Sequence, residues 1–204
     1  SRSSAASDVY KRQAINYSEN YDLLVIGYQT GLIEVYNFST KAVLKVVDIV
    51  NKITIPTENK GINDFYESEN LIYIATNYGI SIYDLDALEF GDTYFIGSDG
   101  SQIEVRQVAL TNNDIYAATN VGLKKASIDN QNLIDFQFWE TSLNGDFTAL
   151  SIIQESLYLA VTDNQLYKLN DGELQQVLNF SETILDLNTN SSNFSVTTSS
   201  AVRY

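Results

Sequence analysis

Two aspartates are placed where a side chain could do chemistry. Asp64 in I-N-D-F and Asp186 in L-D-L each sit among apolar neighbours in strand-like text. A carboxylate held at the centre of an all-β domain can act as a general base or a metal ligand. The rest of the repertoire is narrow. With no His and no Cys, the chain lacks the commonest general base, the commonest zinc ligand and all thiol chemistry. It has no G-x-S-x-G elbow either, so nucleophilic serine chemistry has no local signature. Asp84/Asp86 and Asp99/Ser101 are the nearest approach to a calcium loop, but neither has the D-x-[DN]-x-[DN]-G spacing. Trp139, the single tryptophan, lies in F-Q-F-W-E, where a large ring is expected to pack between sheets instead of recognising a ligand. The Asn-x-Ser sites at Asn16, Asn37, Asn179, Asn190 and Asn193 would matter only in a eukaryotic secreted chain. The reading assigns no catalytic, cofactor-binding or metal-binding residue, and expects Asp64 and Asp186 to be satisfied within the strands that carry them.

Those strands belong to a repeat. Leu71 to Leu85, L-I-Y-I-A-T-N-Y-G-I-S-I-Y-D-L, is an alternating strand, a turn and a second alternating strand. Related text begins at Leu23, Asp114, Ser156 and Asn193. Anchored on Leu24, Ile72, Ile115, Leu157 and Phe194, the copies are spaced 48, 43, 42 and 37 residues apart. Gly31, Gly79 and Gly122 occupy the hairpin connection, and Asn164 and Ala201 take that place in the last two copies. Units of about 40–50 residues built from four strands are the signature of a β-propeller. The expected fold is all-β: a partial, open propeller of about four to five blades, a fragment of a larger ring.

Composition agrees with a packed β domain. The chain is 44% apolar and 12% aromatic, and no apolar run reaches the roughly 18–20 residues of a membrane-spanning helix. Twelve basic against 26 acidic residues leave a net charge of −14. That charge disfavours nucleic acid and anionic lipid surfaces. The first 13 residues resemble the translated end of a transposase-type sequencing adaptor (S-S-A-A-S-D-V-Y-K-R-Q, residues 3–13) and are read as a non-native, disordered tail. Without them the net charge is −16. The expected blades are 14–61, 62–105, 106–146, 147–183 and a truncated 184–204. In the third, Phe136–Glu140 is expected to be the outer strand. In the second, Thr93–Ile96 takes that role after a polar loop, D-L-D-A-L-E-F-G-D.

From Leu23 to Ser142 the text resembles the N-terminal propeller of the PorZ family, a surface component of the type IX secretion system of Bacteroidetes-type bacteria. The blocks that carry the resemblance are L-L-V-I-G-Y-Q-T-G, N-L-I-Y-I-A-T-N-Y-G-I-S-I-Y-D-L-D, D-T-Y-F-I-G-S-D-G-S-Q-I-E-V, N-D-I-Y-A-A-T-N-V-G-L-K-K-A-S-I and N-L-I-D-F-Q-F-W-E-T-S. The resemblance implies an extracytoplasmic protein at the outer membrane surface of a Gram-negative cell. It further implies a second propeller and a sorting domain in the full chain, and a non-catalytic scaffold role. The implied partners are PorU-, PorV- and PorQ-like proteins and anionic lipopolysaccharide. Two other readings fit the same repeat: the periplasmic sensor propeller of a two-component regulator, and a metal-dependent propeller hydrolase using Asp64 and Asp186.

Overall fold

The computed structural model describes residues 12–170, 172–189 and 194–203, with the side chains of residues 12, 13 and 203 left aside. Four successive units are each a four-stranded antiparallel sheet, and the fifth has three strands among the described residues. Blade 1 holds β1 (Arg12–Ser18), β2 (Leu23–Tyr28), β3 (Ile33–Asn37) and β4 (Val43–Val46). Blade 2 holds β5 (Ile62–Ser68), β6 (Leu71–Thr76), β7 (Gly79–Asp84) and β8 (Glu89–Tyr94). Blade 3 holds β9 (Val105–Leu110), β10 (Asp114–Thr119), β11 (Gly122–Ser127) and β12 (Glu140–Leu143). Blade 4 holds β13 (Phe147–Ile153), β14 (Ser156–Val161), β15 (Gln165–Asn170) and β16 (Glu173–Asn179). Blade 5 holds β17 (Ile184–Thr189), β18 (Phe194–Thr198) and β19 (Val202–Arg203). The first strands β1, β5, β9, β13 and β17 lie side by side in chain order. The blades therefore stack around one axis as an open all-β propeller. Of residues 1–13, read as a non-native, disordered tail, 1–11 lie outside the described residues, and Arg12 and Gln13 correct that reading by opening β1.

Two local expectations are corrected. Phe136–Phe138 is a 3-10 turn and the outer strand of blade 3 starts at Glu140. The Asp135 carboxylate accepts the Gln137 N–H at 3.0 Å, so a side-chain cap wins over the β preference of the aromatic run. In blade 2 the outer strand starts at Glu89, and the loop before it is only a turn held by Asp84. The connection after β4 contains a short helix α1 (Asp48–Asn51) that buries Ile49.

The core is shared between blades. Leu23, Val25, Ile33 and Val35 of blade 1 pack against Phe65, Ile72, Ile74 and Tyr83 of blade 2. Later junctions repeat this, with Trp139 buried among Tyr94, Ile82 and Val108 between blades 2 and 3 as expected. The outward face of blade 1 carries Ile15 (67% exposed), Tyr17 and Val43, in register with the half-buried Leu24, Ile26 and Tyr36. The opposite end differs. Blade 5 turns Asn188, Ser195 and Thr197 outward beside the exposed Val202, so its free face is more mixed in character.

The hairpin repeat has a hydrogen-bond explanation. Thr76 Oγ1 donates to the Gly79 carbonyl at 2.8 Å and accepts from the Tyr78 N–H. Thr119 does the same with Gly122 and Val121. Both threonines are fully buried, so the recurring A-T-N-x-G closes each turn with an internal bond that a buried hydroxyl requires.

Candidate axial site

The site grows from an irregularity repeated in every first strand. In β5, Ile62 and Phe65 both join the core although they are three residues apart. A regular strand would put them on opposite faces. The register reconciles them: one extra residue enters between Ile62 and Asp64. Equivalent bulges fall between Arg12 and Ala14, at Arg106 in β9, between Phe147 and Ala149, and between Ile184 and Asp186. A bulge bends the strand and re-aims the following side chain. The residues so placed are Ala14, Asp64, Gln107, Ala149 and Asp186, one per blade.

Three of the five are polar, and they meet. Gln107 Nε2 donates to Asp64 Oδ2 at 3.1 Å and to Asp186 Oδ1 at 2.5 Å. Its Oε1 accepts the backbone N–H groups of Leu150 at 3.1 Å and Leu187 at 3.4 Å. Two backbone donors on Oε1 fix the orientation of the amide, since only its NH₂ can face carboxylates. One buried side chain thus ties together blades 2, 3, 4 and 5. Ala14, Ile15, Asn63, Arg106, Leu185 and Asn188 complete a cavity of about 300 Å³ around it. Burial, then the charge of Asp186, push the Asp64 carboxyl up to about 7, with Gln107 and the Phe65 N–H opposing. Burial also raises Asp186, against the same amide and the Leu187 N–H.

The bulge residues themselves act as staples. Asn63 Nδ2 donates to the Val105 carbonyl at 2.8 Å, linking β5 to β9. Arg106 donates to the equivalent Phe147 carbonyl at 2.9 Å, linking β9 to β13, and also pairs with Asp146 and Glu104. At the next junction the series breaks: the Thr148 hydroxyl is buried without a hydrogen-bond partner. Threonine is too short to repeat the Asn63 contact. We expect Thr148→Asn to reach the carbonyl of Ile184 and stabilise the chain by about 1 kcal/mol, the net worth of one buried hydrogen bond, as measured by denaturant unfolding.

Asp64 and Asp186, singled out from sequence, are therefore brought together, while the other candidates are not part of the site. Asp84 Oδ1 accepts the N–H groups of Asp86 and Ala87 and Oδ2 accepts from Asn70. These bonds, led by that from Ala87, hold its carboxyl below the usual carboxylate range. It is a turn-former. Asp99 adopts a left-handed φ of 56° in the turn before Ser101. Asn16 bonds Glu67 and Asn37 accepts from the Thr40 N–H. Asn179 ends β16, whereas Asn190 and Asn193 lie outside the described residues. Among the described residues, no group of three or more His, Cys, Asp or Glu is arranged to hold a metal. Gln107 was missed because amides carry no catalytic signature. Aligning I-N-D-F, V-R-Q-V and I-L-D-L as apolar-x-x-apolar frames would have put it beside the two aspartates.

Inner-strand bulges, blade-sharing cores and an axial polar cluster define a β-propeller. Residues 3–140 match the family described as the type IX secretion PorZ N-terminal β-propeller domain, and the chain belongs to that family. Among solved structures, PorZ of Porphyromonas gingivalis aligns with a TM-score of 0.77 and 21% identity over 94% of this chain. The chain spans 25% of the length of that PorZ. The extracellular domain of a putative hybrid two-component system of B. thetaiotaomicron aligns at 0.69 and 16% identity, over 94% of this chain and 26% of its own length. The computationally designed Ika4 protein aligns at 0.57 and 12% identity, over 80% and 93% respectively. At these identities the structural likenesses speak for the fold. No curated protein matches the sequence.

Proposed function

We propose that this chain is a non-catalytic propeller module of a cell-surface type IX secretion attachment complex, working in an extracytoplasmic setting beside PorU-, PorV- and PorQ-like partners. The observation that carries the reading is membership of the PorZ N-terminal propeller family. The axial geometry supports it: both carboxylates a hydrolase would need are engaged by one structural amide. In this reading the blades hold loops rigidly on two rims, and partners are recognised through loop side chains. A net charge of −14 works against contact with the phosphates of lipopolysaccharide.

The similarity to a two-component extracellular domain supplies the second reading, a sensor propeller. One experiment separates them. The full-length protein carrying this propeller is deleted in its own organism, and surface retention of secreted cargo is measured beside the transcriptome. Loss of cargo from the surface, restored by the intact gene, supports the secretion role. Unchanged cargo with an altered set of transcripts would replace it with the sensor reading.

A further inference from the structure

We propose that Asp64, Gln107 and Asp186 form a proton-operated latch that joins blade 2 to blade 5 across the propeller axis. The inference stands on the axial geometry and does not depend on the secretion reading. Blades 2 and 5 are not neighbours in the ring order, and their sheets share no strand pairing. Gln107 bridges them with its two amide hydrogens, one to each carboxylate. The bridge cannot swing aside, because Oε1 is held by the Leu150 and Leu187 amides. Two carboxylates facing one neutral donor are content with a single negative charge. A second charge adds repulsion that the amide cannot cancel.

Among the described residues one cation, Arg106, lines the cavity, and it is already paired. From β9 comes Arg106, whose guanidinium is turned to Asp146, Glu104 and the Phe147 carbonyl. β1 contributes Ala14 and Ile15 to the cavity. β13 contributes the Leu150 amide, Ala75 of β6 stands opposite Asp64, and Thr197 of β18 stands opposite Asp186. Apart from Arg106, none of these is charged or titratable. Among the described residues, the charged groups that face the pair are the pair itself and the already engaged Arg106.

The direction of the response follows. The folded-state value of Asp64, about 7, lies above its ordinary 3.8. The folded chain therefore holds a proton that the unfolded chain has released. The stability that the protonated pair contributes is complete below about pH 4 and falls as pH rises through 7. In slightly acidic surroundings blade 5 is locked across the axis. As Asp64 ionises above about pH 7 its charge adds to that of Asp186, the repulsion strains the Gln107 bridge and blade 5 is held less tightly.

The test uses the whole chain. Carboxyl-carbon NMR between pH 4 and 9 follows Asp64 and Asp186, and amide exchange follows the Leu187 N–H as a protection factor corrected for the intrinsic rate. We expect one of the pair to titrate near 7 and the Leu187 protection to fall at least tenfold between pH 6 and 8.5. Asp64→Asn keeps an acceptor for Gln107 but removes the charge, so its Leu187 protection will stay high across that range. The latch is refuted if both carboxyls titrate below 5, or if wild type and Asp64→Asn lose protection in parallel. Should Asp64→Asn not fold, Asp186→Asn serves in its place, and the wild-type titration decides independently.

Discussion

Gln107→Leu will destabilise the chain by about 3–5 kcal/mol at neutral pH, the largest loss we expect from any polar position. Leucine fills a similar volume, so the cost is not a cavity. It removes two donors from buried carboxylates and two acceptor bonds from the Leu150 and Leu187 amides. A buried polar group left without a partner costs about 1–3 kcal/mol, and more when it is charged. Protonation of the aspartates will recover part of the loss, so the deficit in urea unfolding will shrink as pH falls from 8 to 5. Gln107→Glu gives a sharper comparison. Its carboxylate can still accept both backbone N–H groups but adds a third negative charge. Its deficit should therefore be more pH-dependent than that of leucine. Equal deficits at pH 5 and 8 for both variants would show that Gln107 acts through packing alone.

The fold was legible because its signal is repeated. Alternation in L-I-Y-I-A-T and its copies, with glycine at a fixed offset, specifies hairpins, and five copies at similar spacing specify blades. The hidden part was hidden for physical reasons. A bulge appears in sequence only as a broken alternation, Ile62 and Phe65 three apart and both buried. In a single blade that looks like an imperfect strand. Its meaning is three-dimensional: the same defect in five first strands turns one side chain per blade toward the axis. Asp64 and Asp186 were visible as oddities, but 122 residues separate them, and no local rule says that they face one another. The 3-10 turn at Phe136 was missed for a different reason. An aspartate cap outweighed a run of β-favouring aromatics, and propensity is a weak prior wherever a side chain can bond the backbone.

Gly79→Ala will cost on the order of 4 kcal/mol, and a series of glycine substitutions will show why. Gly79 opens β7 with φ at +145°, and a Cβ built there lies 2.2 Å from the carbonyl oxygen of Tyr94 in β8. Two penalties combine. Holding alanine in a backbone region suited to glycine costs roughly 1–3 kcal/mol. Pushing β8 aside in a packed blade costs roughly 1–3 kcal/mol more. Gly172 isolates the first, with φ at +82° and nothing within 4 Å of its Cβ, so Gly172→Ala should cost about 1 kcal/mol. Gly91 carries neither, its nearest Cβ contact being 3.5 Å with no left-handed φ, and Gly91→Ala should be near neutral. Gly122 repeats the Gly79 geometry one blade on, with φ +143° and the Leu143 carbonyl 2.9 Å from its Cβ. Thermal unfolding should therefore rank the variants Gly91, Gly172, Gly122, Gly79 in order of increasing loss. If Gly79→Ala is as mild as Gly172→Ala, then β8 moves freely, and the A-T-N-x-G glycine serves only the turn and not the close seating of the outer strand.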